Sequence, residues 1–334
     1  MTDRTHGRTS MRLWDDELEA ARDTLAAESK EFIAAFPDPV VAEGTPPLER
    51  ARILREAEAA WVLRSDKAVD RTIAGPAGPL RLREFRPQRA EGAMLHIHGG
   101  GWTTGTPEMT DLLNEALCDQ LNVAIVSVDY RLSPEHPYPA GPDDCEAAAL
   151  WLVEHAEDEY GTDRLLIGGE SAGAHLSAVT LLRLRDRHQA ASRFVGANMV
   201  FGAYDLSGTP SAMGVGIDPE QDILQLDFMS FAMDHFVGDM TTDERRQPDF
   251  SPMYADLHGM PPALFMVGTA DHLLDDTLFF SARWAAAGNE TELLVYPGVP
   301  HGGIGVPTVL NHWWPRLVAF LGARLDPAGA QSSS

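Results

Sequence analysis

The stretch from Leu165 to Ala174 constrains this chain more than any other. Leu165-Leu166-Ile167-Gly168-Gly169 is an unbroken apolar run of strand character, and Ala172-Gly173-Ala174 opens a stretch of helix character. Between them, Gly169-Glu170-Ser171-Ala172-Gly173 has the form G-x-S-x-G, a sharp strand-to-helix turn that thrusts a serine outward. Gly169 and Gly173 leave no side chains to clash where strand and helix approach each other. The helix N-terminus behind Ser171 favours developing negative charge. A Gly-Ser loop without chemistry would leave that flanking context unexplained.

The same rhythm recurs along the chain. Strand-like runs at Ala93 to His98, Val123 to Val128, Arg164 to Gly168, Phe194 to Phe201, Ala263 to Val267 and Glu292 to Tyr296 dominate the sequence after residue 90. Helical stretches near Asp111 to Leu121, Asp143 to His155 and Ala172 to Arg187 separate the first four. Such alternation predicts a mostly parallel sheet covered by helices on both faces. Ahead of it, Arg71 to Gly75 and Leu80 to Phe85 flank a Pro/Gly turn and read as an antiparallel hairpin. Residues 11–60 read as helix, with Trp14, Leu18, Ala21 and Leu25 on one face and Phe32, Ile33 and Phe36 before the Pro37-Asp38-Pro39 break. A second helix is expected from Leu48 to Leu63. These helices precede every strand, which points to a lid or flank. Residues 207–248 carry Met213, Phe228, Met229, Phe231, Met233 and Phe236 without a strand pattern, and fit either a second lid segment or an extra packed helix. The expected division is therefore 1–65 as helical cap or flank, 66–325 as the main domain with its insertion at about 207–248, and 326–334 as a disordered tail ending Gln331-Ser332-Ser333-Ser334.

A second glycine signature, His98-Gly99-Gly100-Gly101-Trp102, follows the strand Met94-Leu95-His96-Ile97. Consecutive glycines let backbone N–H groups turn toward a ligand, so Gly100 and Gly101 are candidate donors to an oxyanion, with the N–H of Ala172 as a third. His98 is expected to hold the loop in shape rather than to move protons. His96 and His98 could share one side of a strand and bind metal, but no cysteine or acidic cluster of ligand spacing accompanies them. A nucleophilic Ser171 needs a base and the base an orienting acid. His301, in the loop Tyr296-Pro297-Gly298-Val299-Pro300-His301-Gly302-Gly303 after the last strand, is the candidate base. Asp271, after the strand Leu264 to Val267, is the candidate acid, and the order Ser171, Asp271, His301 is the Ser…Asp…His order of strand-turn-helix serine sites. His272, Asp275 and Asp276 are rivals by position. The bland reading makes Asp275 and Asp276 first-turn helix residues and His272 an ordinary loop histidine.

Composition excludes several partner classes. The chain carries 26 Lys+Arg against 50 Asp+Glu, a net charge of −24, which repels nucleic-acid phosphates and anionic lipid. An acidic solvated surface is the plain reading and adaptation to high salt the sharper one. Met1-Thr2-Asp3-Arg4-Thr5-His6 has no apolar segment behind it, so no secretory signal is read, and no run approaches a membrane span. The two cysteines, Cys118 and Cys145, offer no disulfide framework, and a reducing cytoplasm is the expected compartment.

Together these residues resemble the hormone-sensitive-lipase-like carboxylesterases of the α/β-hydrolase superfamily. The resemblance spans about residues 70–322 and includes, besides the two glycine motifs, Val128-Asp129-Tyr130-Arg131-Leu132-Ser133-Pro134-Glu135-His136-Pro137-Tyr138-Pro139-Ala140, Ser251-Pro252-Met253-Tyr254-Ala255-Asp256 and Val267-Gly268-Thr269-Ala270-Asp271-His272-Leu273-Leu274-Asp275. It implies an α/β-hydrolase fold with helical cap material and hydrolysis of short- to medium-chain esters. It also implies Ser171, His301 and Asp271 as the triad, Gly100 and Gly101 as oxyanion donors, and no metal or organic cofactor. A homodimer is implied by the same analogy. Three positions depart from the family pattern: Glu170 where Asp or Thr is usual, His272 where Pro is common, and Gly303 where Phe is common. With Trp102 in the glycine loop, these leave substrate preference open. An amidase or peptidase using the same triad, and a ligand-binding protein that has lost catalysis, are the alternatives.

Overall fold

The computed structural model describes residues 12–35, 39–218 and 223–326. The polar Met1–His6 start, Phe36, the Pro37-Asp38 break, positions 219–222 of the insertion and the tail from residue 327 lie outside the described residues. Three helices come first: α1 (Asp16–Ala20), α2 (Arg22–Ala35) and α3 (Pro47–Ala59). The single helical face expected through Trp14 to Leu25 is interrupted at Ala21, so Leu18 and Leu25 bury from two successive helices. Next come β1 (Val69–Gly75) and β2 (Gly78–Phe85), the expected hairpin, paired antiparallel from Val69 with Glu84 to Gly75 with Gly78.

From there strands and helices alternate: β3 (Gly92–Ile97), α4 (Asp111–Leu121), β4 (Val123–Val128), α5 (Ala140–Tyr160), β5 (Leu165–Glu170), α6 (Ala172–His188), β6 (Phe194–Val200), α7 (Leu226–Val237), β7 (Ala263–Gly268), α8 (Leu274–Ala286), β8 (Thr291–Tyr296) and α9 (Pro307–Leu325). The α5 helix is longer at both ends than Asp143–His155, because Pro142 sits in its first turn, where a missing N–H breaks no helical bond. The sequence reading does not assign α9, which carries Pro315 inside it.

The strands form one sheet in the order β1-β2-β4-β3-β5-β6-β7-β8. Only β2 runs against its neighbours β1 and β4; every other pair is parallel. Alternate residues of the central strands feed two cores. Leu95, Ile97, Leu165, Ile167 and Phe265 pack with Leu152 of α5, Leu181 of α6 and Trp284 of α8. On the opposite face Met94, Leu166 and Leu264 pack with Leu25 of α2, Leu117 of α4, and Trp313 and Leu317 of α9. Burial on both faces is why these strands read as continuous apolar runs rather than alternating ones.

This topology places the motifs. After β4 the chain crosses β3 to lay down β5 on its far side, and such a reversal opens a crevice at the carboxyl ends of the strands. The loops after β3, β5, β7 and β8 all emerge there. The turn from β5 into α6 is pressed against β3: a Cβ at Gly169 would stand 2.0 Å from the Ile97 carbonyl oxygen, and one at Gly173 1.9 Å from it. Because the obstacle is backbone, Gly169→Ala and Gly173→Ala should each destabilise by about 3 kcal/mol or more in urea unfolding. Gly161→Ala, at φ +76° with open space around it, should lose only about 1–2 kcal/mol. A smaller loss at 169 or 173 than at 161 would contradict this packing.

Candidate active site

Ser171 stands between β5 and α6 with φ +56° and ψ −119°, a backbone conformation that few non-glycine residues adopt. The turn is held from both sides: Ser171 N–H donates to the Val200 carbonyl at 2.9 Å, and the Ser171 carbonyl accepts from Ala174 and His175 at 3.1 Å each. The crossover thus fixes a strained serine at the mouth of the crevice.

The loops after β7 and β8 bring the other two candidates to it. Ser171 Oγ lies 3.0 Å from His301 Nε2, and His301 Nδ1 lies 3.0 and 2.9 Å from the two Asp271 oxygens. Asp271 is fully buried and also accepts from Leu273 N–H at 2.8 Å, which leaves its carboxylate little freedom to turn away. The two loops are laced together: Thr269 N–H donates to Tyr296 O at 2.9 Å, Ala270 N–H to Val299 O at 3.0 Å, and Gly298 N–H to Thr269 Oγ1 at 2.7 Å. Sequence reasoning missed Phe201, whose ring meets the His301 imidazole edge-on at 4.6 Å and braces it from the end of β6.

The rival residues are tied to other partners, although Asp276 also lines the hollow at Ser171. Asp276 accepts from Tyr204 N–H (2.6 Å), Asp205 N–H (2.7 Å) and Thr209 Oγ1 (2.6 Å), organising the loop after β6. Burial pushes its carboxyl up to about 7. Asp275 accepts from Ser211 N–H at 2.9 Å, and His272 meets the Ser211 carbonyl at 3.0 Å. None of the three reaches Ser171 by a hydrogen bond among the described residues.

In the glycine loop, Gly100 has φ +106° and Gly101 φ +57°, and a Cβ at Gly100 would stand 2.3 Å from the Thr104 carbonyl oxygen. Among the described residues, nothing accepts a hydrogen bond from the N–H groups of Gly100, Gly101 or Ala172. Gly99 is the contact point between the two signatures: a Cβ there would lie 3.0 Å from the Glu170 carbonyl oxygen. His98 donates from Nδ1 to the Gly99 carbonyl at 2.8 Å and stacks on Tyr130 at 4.3 Å, while Tyr130 OH donates to the His98 carbonyl at 3.0 Å. Burial holds the His98 pKa down at about 3, so its ring is neutral and shapes the loop. His96 instead meets Ser127 Oγ at 2.8 Å and the Glu170 carboxylate at 3.1 Å. The unusual Glu170 is therefore the partner of a buried histidine beneath the turn. His96 and His98 share no three-ligand cluster; the one such group among the described residues is Asp15, Glu17 and His312, far along the chain.

Comparison with known proteins agrees with this fold. Residues 94–304 match a family model described as the α/β hydrolase fold. The carboxylic ester hydrolase LipN of Mycobacterium tuberculosis is 33% identical over 240 residues, covering 70% of this chain and 63% of LipN. A hyperthermophilic esterase from the archaeon Pyrobaculum calidifontis superposes with TM-score 0.74 at 27% identity, over 97% of this chain and 100% of that one. A hormone-sensitive lipase from a metagenome library superposes with TM-score 0.72 at 26% identity, over 94% of this chain and 100% of that one. The chain belongs to the α/β-hydrolase fold family. Within it, the likeness is to the hormone-sensitive-lipase-like carboxylesterases, and the chain spans about 63% of LipN's own length.

In this α/β hydrolase a cavity opens directly onto Ser171. It encloses about 460 Å³ of empty space, part of it open to solvent, and Gly101, Trp102 and Ala172 line it while Gly100 does not. The rest of the wall is largely apolar, with Leu206, Leu224 and Leu273 and with Phe228, Met229 and Met233 from α7, and it also includes the carboxylates of Asp205 and Asp276. The Met- and Phe-rich insertion thus supplies cavity wall, whereas Met213 is exposed. Trp102 stacks on Phe236 of α7 at 4.8 Å and donates from Nε1 to His175 Nδ1 at 3.1 Å. His175 Nε2–H in turn donates to the Phe250 carbonyl at 2.7 Å, which fixes its neutral tautomer. At the third departure, a Cβ on Gly303 would stand 2.3 Å from Val299 Cγ1, and the ring of Phe32 from α2 lies over neighbouring Gly302 and Gly305.

Burial lowers the His175 pKa from 6.5 to about 4. The unfolded imidazole takes up its proton as pH falls through about 6.5 and the folded one only near 4, so the stability this neutral ring contributes is complete above 6.5 and is lost toward 4. His175→Asn, which cannot titrate, should unfold at lower temperature than the parent at pH 7.5, and that deficit should shrink as pH falls to 5. A deficit independent of pH would contradict a buried neutral His175.

Proposed function

We propose that this chain is a serine carboxylesterase acting on short- to medium-chain esters through an acyl-enzyme intermediate. The observation that carries the reading is the hydrogen-bonded line from Ser171 Oγ through His301 to buried Asp271, opening onto an apolar cavity. His301 Nε2 takes the Ser171 proton as Oγ bonds to the ester carbonyl carbon, and Asp271 stabilises the imidazolium. The carbonyl oxygen becomes an oxyanion beside the N–H groups of Gly100, Gly101 and Ala172, the last at the N-terminus of α6. Collapse breaks the bond to the leaving alcohol, which departs with the proton from His301. Water then gives a proton to His301 and its oxygen to the acyl carbon, and Ser171 leaves with that proton restored. Every role is filled by a side chain or N–H group of this chain. The named relatives are esterases and carboxylic ester hydrolases, which supports ester over amide as the substrate class.

Residues 66–325 form the catalytic domain in this reading, with the 1–65 segment and the 207–248 insertion as its cap. The support is that α3 and α7 both reach the glycine loop. Glu58 of α3 accepts from Gly105 N–H at 2.8 Å, and Arg55 donates to the Thr103 and Ser133 carbonyls at 2.8 and 3.0 Å.

A p-nitrophenyl ester panel tests the assignment. Ser171→Ala should reduce kcat by on the order of 10⁶, and Asp271→Asn by about 10⁴ with the fold intact by circular dichroism. Ester turnover by Ser171→Ala equal to the parent's would remove the nucleophile assignment. Aryl-amide turnover rivalling ester turnover would move the reading to an amidase.

A further inference from the structure

Outside the catalytic cavity lies a second hollow, a groove of about 1100 Å³ that is open to solvent along its length. Its walls are Leu54, Ala57 and Glu58 of α3, the following Trp61 and Val62, Met109, Pro39 and Ile223. This lining is mostly apolar, with Thr104 and Glu58 its polar members, and Trp61 and Met109 are exposed within it. Its one carboxylate, Glu58, is turned to Gly105 N–H and Thr104 Oγ1, and burial raises its pKa. The spacing of the two helices is braced: Arg50 of α3 pairs with Asp227 of α7 at 2.8 Å, and its guanidinium lies 4.3 Å over the Phe231 ring.

A single side chain belongs to both hollows. Phe228, on the first turn of α7, lines the cavity at Ser171 and also the outer groove. Its Cε1 and Cζ atoms lie 3.1 Å from where a Cβ on Gly101 would stand, so the ring rests against the glycine loop itself. The bare glycine is what lets it close there. Ala232, one turn further along α7, makes the same approach at 3.1 Å.

We propose that Phe228 is the partition that sets the length of ester this enzyme accepts, and that the groove behind it receives the hydrocarbon arm of longer esters once the ring is out of the way. The proposal rests on the ester-hydrolase reading above. With the ring in place, a chain leaving Ser171 meets an aromatic wall after the small inner cavity. With the ring removed, the same chain runs on along Leu54, Ala57 and Trp61, where each added methylene is buried against apolar surface. The hydrocarbon can be the acyl chain or the alcohol, and the chemistry of the groove is the same for both.

The experiment compares kcat/KM for p-nitrophenyl butyrate and dodecanoate in the parent and in Phe228→Ala. Taking the ratio within one preparation cancels any loss of folded protein. The dodecanoate-to-butyrate ratio should rise by about tenfold or more, which burial of about two further methylenes supplies. Phe228→Trp should leave the ratio at or below the parent's. Ala57→Phe, added to Phe228→Ala, should fill the groove and return the ratio toward the parent value. A parallel series of ethyl to octyl acetates shows which arm the groove holds, since only the series whose variable end enters it gains. An unchanged ratio in both series with Phe228→Ala overturns the partition, and a gain that survives Ala57→Phe overturns the groove. Absence of Ser171-dependent turnover on the butyrate would instead remove the esterase reading, which keeps the two failures distinct.

Discussion

The arrangement of this enzyme depends on one contact between backbones, where the turn from β5 into α6 crosses the end of β3. Neither Gly169 nor Gly173 could carry a side chain there, because the Ile97 carbonyl fills the space. That closeness forces Ser171 into its positive φ and points its oxygen out of the sheet. It also fixes a second element at no further cost in geometry. The glycine loop begins at the residue after Ile97, so a turn locked to Ile97 is locked to the proposed oxyanion donors as well. Gly99 closes the join by lying against the Glu170 carbonyl. Two motifs that stand some seventy residues apart in sequence are one packed unit in space.

The proposed base and acid depend on a similar device toward the β8 edge of the sheet. A Cβ at Gly268 would stand 2.0 Å from the Val299 carbonyl oxygen, so the end of β7 can lie directly against the loop after β8. The hydrogen bonds from Thr269 and Ala270 then tie the acid loop to the base loop. Register between β7 and β8 therefore sets the distance from Asp271 to His301, while register across β3, β5 and β6 sets Ser171 and its Val200 anchor. The intervening sheet is buried on both faces and close-packed, which is what transmits that placement from one loop pair to the other.

Much of this was legible in the sequence because the determining interactions are local. A parallel strand with two buried faces announces itself as an apolar run, and Leu165–Gly169 followed by a serine and a helix defines its own turn. Asp271 and His301 could be picked by their position after strands, since loops at carboxyl ends are the ones that converge. Phe201 and Tyr130 also follow strands, but position gives neither them nor His175 a role. Each acts through a neighbour that is distant in sequence: Phe201 on His301, His175 on Trp102, Tyr130 on the His98 carbonyl. The Met- and Phe-rich character of the insertion was visible, but its meaning was not, because Phe228 and Phe236 take their roles from Gly101 and Trp102, more than a hundred residues earlier. The α9 helix, which the sequence reading does not assign, carries an internal proline. The packing of Trp313 and Leu317 on the sheet outweighs the backbone bond lost at Pro315.

The electrostatics of the site follow from the same packing. Two histidines, His98 and His175, stand close to the proposed reaction centre, and a charge on either would compete for the oxyanion or repel the imidazolium on His301. Burial prevents both from charging near neutral pH, with pKa values held at about 3 and 4. Each ring is instead spent on neutral hydrogen bonds: His98 to the Gly99 carbonyl, and His175 between Trp102 and Phe250. His301 instead joins Asp271 through Nδ1 to Ser171 Oγ through Nε2. The largely apolar wall beside Ser171 strengthens each remaining interaction by excluding water. In the proposed reaction, the charge that develops is met by His301, Asp271 and N–H groups already in position, and the neutral histidines hold those groups without adding a field of their own.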